Sequence, residues 1–498
     1  MMRSDLFSFQ NVYRAYADCR RTKRNTPDAL RFELRAEENL RELQRELADR
    51  TYRPSASACF VARQPKLREI FAADFRDRIL HHLVVRYLEA IWEPVFIHDS
   101  YASRAGKGIH AAVERLQRFT RQATCNATRP AWYLQLDIQN FFMRINKQRL
   151  FALIRSRCRQ EEILWLTSVL IFHDPTEEYH RKSPQWLLDQ IPRQKSLFGV
   201  EREYGLPIGN LTSQFFANIY LNGLDQFVKH TLKCRWYLRY VDDVVLLSPQ
   251  PEELHAWQAQ IAHYLETTLE LSLHPTRRKL RPIANGIDFL GYIVRPQYRL
   301  CRNRVVNNLK ARLREFEQAH IRMQGAALRI AYPPEELDAL FAALNSYFGH
   351  FSHANTRTLR RQLFARHGWL THYFVDRRGK VERLYVTPRH FYNLREQYRY
   401  FASRFYRSLI FFQVGCFYEW YERQAIIACR VLGLNLIAPK FGVRRRCGIG
   451  VKALDRYVNM AVQRGYAAVI INQTGYELRH VAERRIAVKY LPVKERNQ

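Results

Sequence analysis

The stretch RWYLRYVDDVVLL, residues 235–247, constrains this chain more than any other. Two strongly apolar half-strands meet at an adjacent pair of acids, Asp242 and Asp243. Half-burying two neighbouring carboxylates is expensive unless something positive meets them. An Asp-Asp hairpin turn is the simple alternative. Against it, the flanks Tyr240-Val241 and Val244-Val245 lack the Gly or Asn that a tight turn prefers. Successive side chains of a strand face opposite ways, so at most one of the two acids would ligate a given site. A third acid, Asp137, ends the short apolar strand AWYLQLDI at 131–138. Asp137 beside Asp242 would hold divalent metals between carboxylate oxygens, since Mg²⁺ takes hard oxygens together with substrate phosphates. Two such ions can activate a hydroxyl and stabilise leaving pyrophosphate. Paired acids are common, so the residues alone leave both readings open.

The partner is narrowed by charge. Lys and Arg number 80 against 47 Asp and Glu, a formal net charge of +33, which calls for a polyanion or an acidic membrane. Arg suits phosphate through its planar fork of donors. A merely soluble basic protein is the alternative, at the cost of heavy self-repulsion. No run of 18 apolar residues occurs, so no membrane span is expected. The opening MMRSDLFSFQNVYRAYADCR has no apolar stretch before a small-residue cleavage site, so no secretory leader is expected. Nine Cys are scattered without a CxxC pair, which fits reduced thiols in a cytosol rather than a zinc ribbon.

With 498 residues the chain should divide into two to four domains. Helical spacing runs through residues 1–50, and YRPSASACFVARQPKLREI reads as a strand pair with a basic rim. Helices are predicted over 74–96, 211–230 and about 252–270, with strands at 131–138, 235–247 and GIDFLGYIV. From about 301 to 370 the chain turns helical and basic. Composition shifts near 375–390, and an alternating helix and strand unit of about 110 residues follows, long enough to fold alone. The whole is an α+β pattern.

The motifs carry a family resemblance. YVDD at 240–243 resembles the YxDD box of reverse transcriptases, and Asp137-Ile138 followed by Phe141-Phe142 looks like their DIxxFF segment. GLPIGNLTSQ at 205–214 is similar to the segment under template and nucleotide, and QPKLREIFAADFRDRILHH to the fingers. GIDFLGYIV at 286–294 looks like the primer-grip hairpin. The boxes stand in family order over most of residues 8–365. The resemblance implies a right hand of fingers, palm and helical thumb, spanning 1–130, 131–295 and 296–375. It implies RNA-directed DNA synthesis from template RNA, primer and dNTPs, with two Mg²⁺ ions, or Mn²⁺ in their place. Asp137, Asp242 and Asp243 would be catalytic and metal-binding, with the Ile138 carbonyl assisting one ion. Phe142 matches the steric gate that would clash with a 2′-hydroxyl. Lys66 and Arg68, with Arg63, match basic finger residues over the triphosphate, and Gln214 and Lys279 complete the expected nucleotide contacts. Arg104 and Lys107 are expected on the template backbone. Core packing for Phe142 and plain surface charge for the finger residues remain the alternatives.

Ile208-Gly209 and Ser213-Gln214 resemble the [IVL]GxxxSQ pattern of diversity-generating retroelement enzymes. FRDRILHH, IHDSYASRAGKGIHAA and NSYFGHFSHANT read like that group too, whereas the Val of YVDD departs from its more frequent Met. The resemblance implies error-prone cDNA from a template-repeat RNA, a small basic multimeric accessory protein, and a prokaryotic cytosol or nucleoid. Retron-type, group II-like and defence-associated reverse transcriptases are the nearest alternatives, and an inactive nucleic-acid scaffold is the rival from another class.

Residues 409–473 resemble the N-terminal, mismatch-sensing domain of MutS, a small α/β domain expected over 385–498. The carriers are LIFFQVGCFYEWYERQAIIACRVLGLNL and GIGVKALDRYVNMAVQRGYAAVIINQ, with RRIAVKYLP after them. Phe417 and Glu419 match its Phe-x-Glu element, Phe wedging into a helix and Glu meeting a base, at an expected strand-to-helix junction. Arg444, Arg445 and Arg446 form a basic loop placed for phosphate. Phe417 in a local core and a solvated arginine face are the alternatives.

Overall fold

The structure is a computed structural model and describes residues 6–21, 26–63, 66–325, 327–384, 391–438, 442–478 and 481–492. The chain divides into two compact units, Met1–Tyr298 and Arg299–Gln498. Helices and sheets are mixed throughout, and among the described residues no helix is long and apolar enough to cross a membrane.

In the first unit the alternating segment at 57–72 forms an antiparallel pair, β1 (Ser57–Ala62) and β2 (Arg68–Ala72). The catalytic candidates lie on a four-stranded antiparallel sheet. Its strands are β3 (Trp132–Ile138), β5 (Trp236–Tyr240), β6 (Asp243–Ser248) and β7 (Leu273–Pro282), in the order β5-β6-β3-β7. The short β4 (Tyr179–Arg181) joins β1 in parallel. Val244 to Leu247 are all buried, so both faces of β6 are covered, which explains its unbroken apolar run. Leu134, Leu136, Val244 and Leu246 share one core with Leu254, Ile261 and Leu265 of the helix Pro251–Leu269. β7 (LHPTRRKLRP) is polar and carries a proline, and it occupies the sheet edge where such a strand is tolerated. The GIDFLGYIV segment, one strand by its pattern and a hairpin by its resemblance, is a hairpin of β8 (Ile287–Phe289) and β9 (Tyr292–Val294). Leu290 and Gly291 turn it with positive φ at both positions.

The helix Phe75–Trp92 starts at Asp74, whose side chain accepts from the Arg76 amide. On it, His81 is buried, and its Nδ1 lies 2.7 Å from Thr212 Oγ1. Burial, followed by the neighbouring His82, Arg78 and His173, pushes its imidazolium down to about 3. Between the ordinary histidine value and that one, the unfolded chain binds a proton that the folded chain excludes. Stability is therefore complete above about pH 6.5 and falls as the pH drops toward 3. Melting curves over this window should show a slope that His81→Gln makes shallower; an unchanged slope would remove His81 from the account.

The second unit opens with β10 (Arg299–Cys301) and the helix Asn303–His320. The expected helical run is interrupted by one hairpin and followed by a second. β11 (Ile321–Gln324) pairs with β12 (Ala327–Ala331), and β13 (Phe374–Arg377) pairs with β14 (Lys380–Arg383). Next come β15 (Ser408–Val414), β16 (Phe417–Tyr421), β17 (Arg446–Gly450), β18 (Ala467–Leu478) and β19 (Val481–Pro492). They build a seven-stranded sheet in the order β11-β12-β19-β18-β15-β16-β17. β15 and β18 are parallel, and the remaining neighbours are antiparallel. Leu409 and Phe411 face one core, shared with the helices Arg423–Leu432 and Leu454–Gln463. Ile410 and Phe412 face the other, against the helix Leu394–Arg404. This sheet does not end where the composition shifts. β12 runs antiparallel along β19, Ala327 opposite Pro492, and Ala327 enters the C-terminal core.

Candidate active site

Asp137 and Asp243 stand directly opposite each other on β3 and β6. Tyr240 pairs with Asp243, so Val241 and Asp242 form a two-residue turn between β5 and β6. Asp242 thus sits in a hairpin turn after all, Asp243 opens β6, and the missing glycine is answered by strain. Val241 has φ of +54°, a conformation that β-branched residues rarely adopt. Behind the turn Arg239, fully buried, donates to the Val241 carbonyl at 2.9 Å and to the fully buried Asp225 at 2.6 and 2.8 Å.

A cavity of about 420 Å³ opens over these acids. Its acidic wall holds Asp137, Asp242 and Asp243, and its basic lining holds Lys66, Arg68, Lys195, His274 and Arg277. Ile138, Phe142 and Ile208 also line it. Arg277 Nη1 lies 2.7 Å from Asp137 Oδ2. The irregular pairing between β3 and β7 aims it there. Leu136 faces Arg278 and Ile138 faces Leu273, so the intervening residues of β7 bulge toward the cavity. Burial and the nearby Asp137 push the Asp242 carboxyl up to about 6, with Arg68 and Arg239 opposing. The walls of the cleft, then Arg277, Arg68 and Lys195, hold the exposed Lys66 ammonium below the usual lysine range, while Asp137 opposes. Two crowded carboxylates are a donor set that suits a hard divalent cation sharing phosphate oxygens. Among the described residues no three His, Cys, Asp or Glu side chains converge as a metal cluster.

Gly209 shows why GLPIGN fits against β2. It has φ of +126°, and a side chain there would meet Ile70 Cγ2 at 2.8 Å and the Phe71 carbonyl oxygen at 3.2 Å. The Phe71 amide donates to the Ile208 carbonyl, pinning this loop to β2.

Other expected contacts lie elsewhere. Arg63, Gln214 and Lys279 are exposed and absent from the lining; Lys279 faces Gln135, farther along β7 than Arg277, and Gln214 accepts from Ser103 Oγ. Arg104 is corrected outright. Its side chain is 4 % exposed and donates to Glu93 and to the carbonyls of Ile97 and Ser100, so its charge faces inward. Lys107 likewise donates to the His98 carbonyl at 2.8 Å. Sequence reading missed Arg277, Lys195, His274 and the Arg239–Asp225 pair. The basic run HPTRRKL held the signal for Arg277; nothing local marked the buried pair.

In the second unit Phe417 is 54 % exposed, so it is not core. It follows a tight hairpin turn, Gly415-Cys416, between β15 and β16 rather than a strand-to-helix junction. Gly415 takes φ of +57° there, and Gly450, opposite Phe417 on β17, leaves open space beside the ring. Glu419 is buried, accepting from Tyr421 Oη at 2.6 Å and pairing with Arg446 at 3.4 Å. It cannot meet a base without giving up these partners. Arg446 also donates to the Ala438 carbonyl, so only Arg444 and Arg445 present exposed side chains.

Residues 62–294 match the family model described as reverse transcriptase (RNA-dependent DNA polymerase), and residues 393–492 match MutS domain I. Protein YkfC of Escherichia coli is 25 % identical over 280 residues, covering 49 % of this chain and 68 % of that protein. The group II intron-encoded protein LtrA of Lactococcus lactis is 26 % identical over 272 residues, 53 % of this chain and 40 % of LtrA. The DNA mismatch repair protein MutS of Dehalococcoides mccartyi is 35 % identical over 91 residues, 18 % of this chain. The chain spans 40 % of LtrA and 10 % of that MutS, so neither protein is represented whole. The matches thus give this chain a segment similar to the reverse transcriptase domain, which holds the cavity and the paired acids, followed by a segment similar to MutS domain I.

Proposed function

We propose that this chain is an RNA-directed DNA polymerase that extends a primer with deoxynucleotides in the cavity over Asp137 and Asp242. The observation that carries the reading is the convergence of these acids with Lys66, Arg68, Lys195 and Arg277 in one cavity. Asp137 and Asp242 would hold Mg²⁺ or Mn²⁺, with Asp243 and the Ile138 carbonyl in support, and the bound ions would supply Lewis-acid activation. The primer 3′-hydroxyl gives up its proton to solvent as its oxygen bonds to the α-phosphorus, the bond to the bridging oxygen breaks, and pyrophosphate leaves. The four basic side chains face the negative charge that gathers on that leaving group. Phe142, in the cavity wall, stands against the sugar.

Within this class we favour the diversity-generating retroelement enzymes, on the Ile208-Gly209 and Ser213-Gln214 pattern, with template-repeat RNA and a small basic accessory protein as partners in a prokaryotic cytosol or nucleoid. A group II-like role is the second reading, favoured by the LtrA match. A near-repeat pair of DNA segments beside the gene supports the first, and an intron around it the second. For the MutS-like domain, the open ring of Phe417 supports a nucleic-acid surface that stacks a base without help from Glu419, while Arg444 and Arg445 lie by Glu422, at the other end of β16.

The test is single-nucleotide addition by the purified full chain on primed RNA with Mg²⁺. Wild type should add dNTPs and discriminate against NTPs. Phe142→Ala should relax that discrimination by about tenfold or more, because one lost clash of 1–3 kcal/mol is worth that much. A folded wild type that adds no nucleotide in Mg²⁺ or Mn²⁺ would make this an inactive scaffold.

A further inference from the structure

Arg239 uses its whole guanidinium inside the protein. Nε and Nη2 donate to Asp225 at 2.8 and 2.6 Å, Nη2 also to Ser100 Oγ at 3.2 Å, and Nη1 to Asn218 Oδ1 at 3.2 Å and the Val241 carbonyl at 2.9 Å. The acceptors are held in turn. Tyr237 Oη donates to Asp225 at 2.7 Å, and Asn218 Nδ2 donates to the Ala102 carbonyl at 2.8 Å. Asn218 and Asp225 lie seven residues apart on the helix Leu211–Gln226, two turns along one face. The backbone of Arg239 is gripped as well: its amide donates to the Asp99 carbonyl, and its carbonyl accepts from the Tyr101 amide.

A buried ion pair is a poor source of stability, because removing two charges from water offsets their attraction. What this pair supplies is direction. Among the described residues, the one backbone acceptor of the Arg239 side chain is the carbonyl of Val241, the residue held at φ +54°. Fixing that carbonyl fixes the plane of the peptide joining Val241 to Asp242. That plane sets where the Asp242 carboxylate leaves the turn, facing the cavity beside Asp137.

We propose that Arg239 is a positioning residue for the polymerase reaction, holding the strained Val241-Asp242 turn through the Val241 carbonyl in the conformation that presents Asp242 to Asp137. This rests on the polymerase reading above. It requires a fork rather than a point charge, since one side chain must span a carboxylate and a carbonyl.

The test uses the full chain and a neutralised pair, Arg239→Gln with Asp225→Asn, which leaves no buried charge unpaired. The pair should melt cooperatively, yet extend primed RNA with kcat reduced about a hundredfold and KM for dNTP little changed, because the triphosphate-facing side chains are untouched. Adding Val241→Gly should restore about tenfold, since glycine reaches the positive φ without being held there. Arg239→Lys keeps the charge opposite Asp225 and serves as the second variant if the pair does not fold; it should show the same kcat loss. Wild-type kcat in a folded variant overturns the proposal, and so does a loss that glycine does not recover. If wild type itself adds no nucleotide, the polymerase reading fails, and melting alone decides the grip on the turn. Val241→Gly should then raise the melting temperature of wild type by a few degrees and of the neutral pair by less, because only the wild type holds the strain. Equal shifts overturn it.

Discussion

Asp242→Asn should reduce primer extension by about a thousandfold or more while leaving the protein folded and bound to RNA. Asn keeps the shape and removes the charged oxygen that a divalent ion requires, a loss of several kcal/mol at about 1.4 kcal/mol per tenfold in rate. Binding should survive because the formal charge of +33 is changed by one unit, and phosphate contacts dominate affinity. Stability should hold or rise. The Asp242 carboxyl is already pushed up by burial and by Asp137, so replacing it relieves repulsion. Extension assays, RNA anisotropy at several salt concentrations and melting curves read the three expectations separately. Normal extension by the purified variant would sink the assignment of Asp242, and lost activity with a lowered melting temperature would make it a folding residue.

Cutting the chain at 385 should cost the C-terminal sheet most of its stability, whereas cutting at 299 should not. A 385–498 fragment lacks β12, so the backbone of β19 from Val488 to Pro492 becomes an open edge, a site for aggregation. It also strips Lys489. This buried lysine donates to the His372 carbonyl at 2.7 Å and lies 3.8 Å from the Tyr373 ring and 4.4 Å from the Phe405 ring. Its ammonium is held well below the ordinary range by burial. Losing the β12 pairing and the cover over Lys489 together removes a large share of the roughly 5–15 kcal/mol that holds a domain together. Residues 299–498 should melt in one transition as a monodisperse species, and residues 385–498 should aggregate or melt far lower. Equal melting of the two fragments would show that the hairpin at 321–331 is dispensable.

The sequence by itself determined the elements of the site. An apolar run broken by Asp242-Asp243 and a short strand ending in Asp137 carry a hydrophobic pattern that is local, and pattern alone makes strands with acids at their ends. The sheet edge at β7 was legible in principle, since proline and charge are tolerated only there. Tertiary structure decided what each charged side chain faces. Arg104 and Arg277 are both arginines in basic segments, yet one turns inward to Glu93 and the other toward Asp137, because the bulge opposite Leu136–Ile138 aims the second. Phe417 and Glu419 sit two residues apart on one strand, and neighbouring strands and Arg446 leave the first open and close off the second. The Arg239–Asp225 pair and the seam between β12 and β19 join residues 14 and more than 150 positions apart. Periodicity reports which face of an element is apolar; it carries no information about which distant element will cover that face, and burial, charge pairing and strain are all set by that covering.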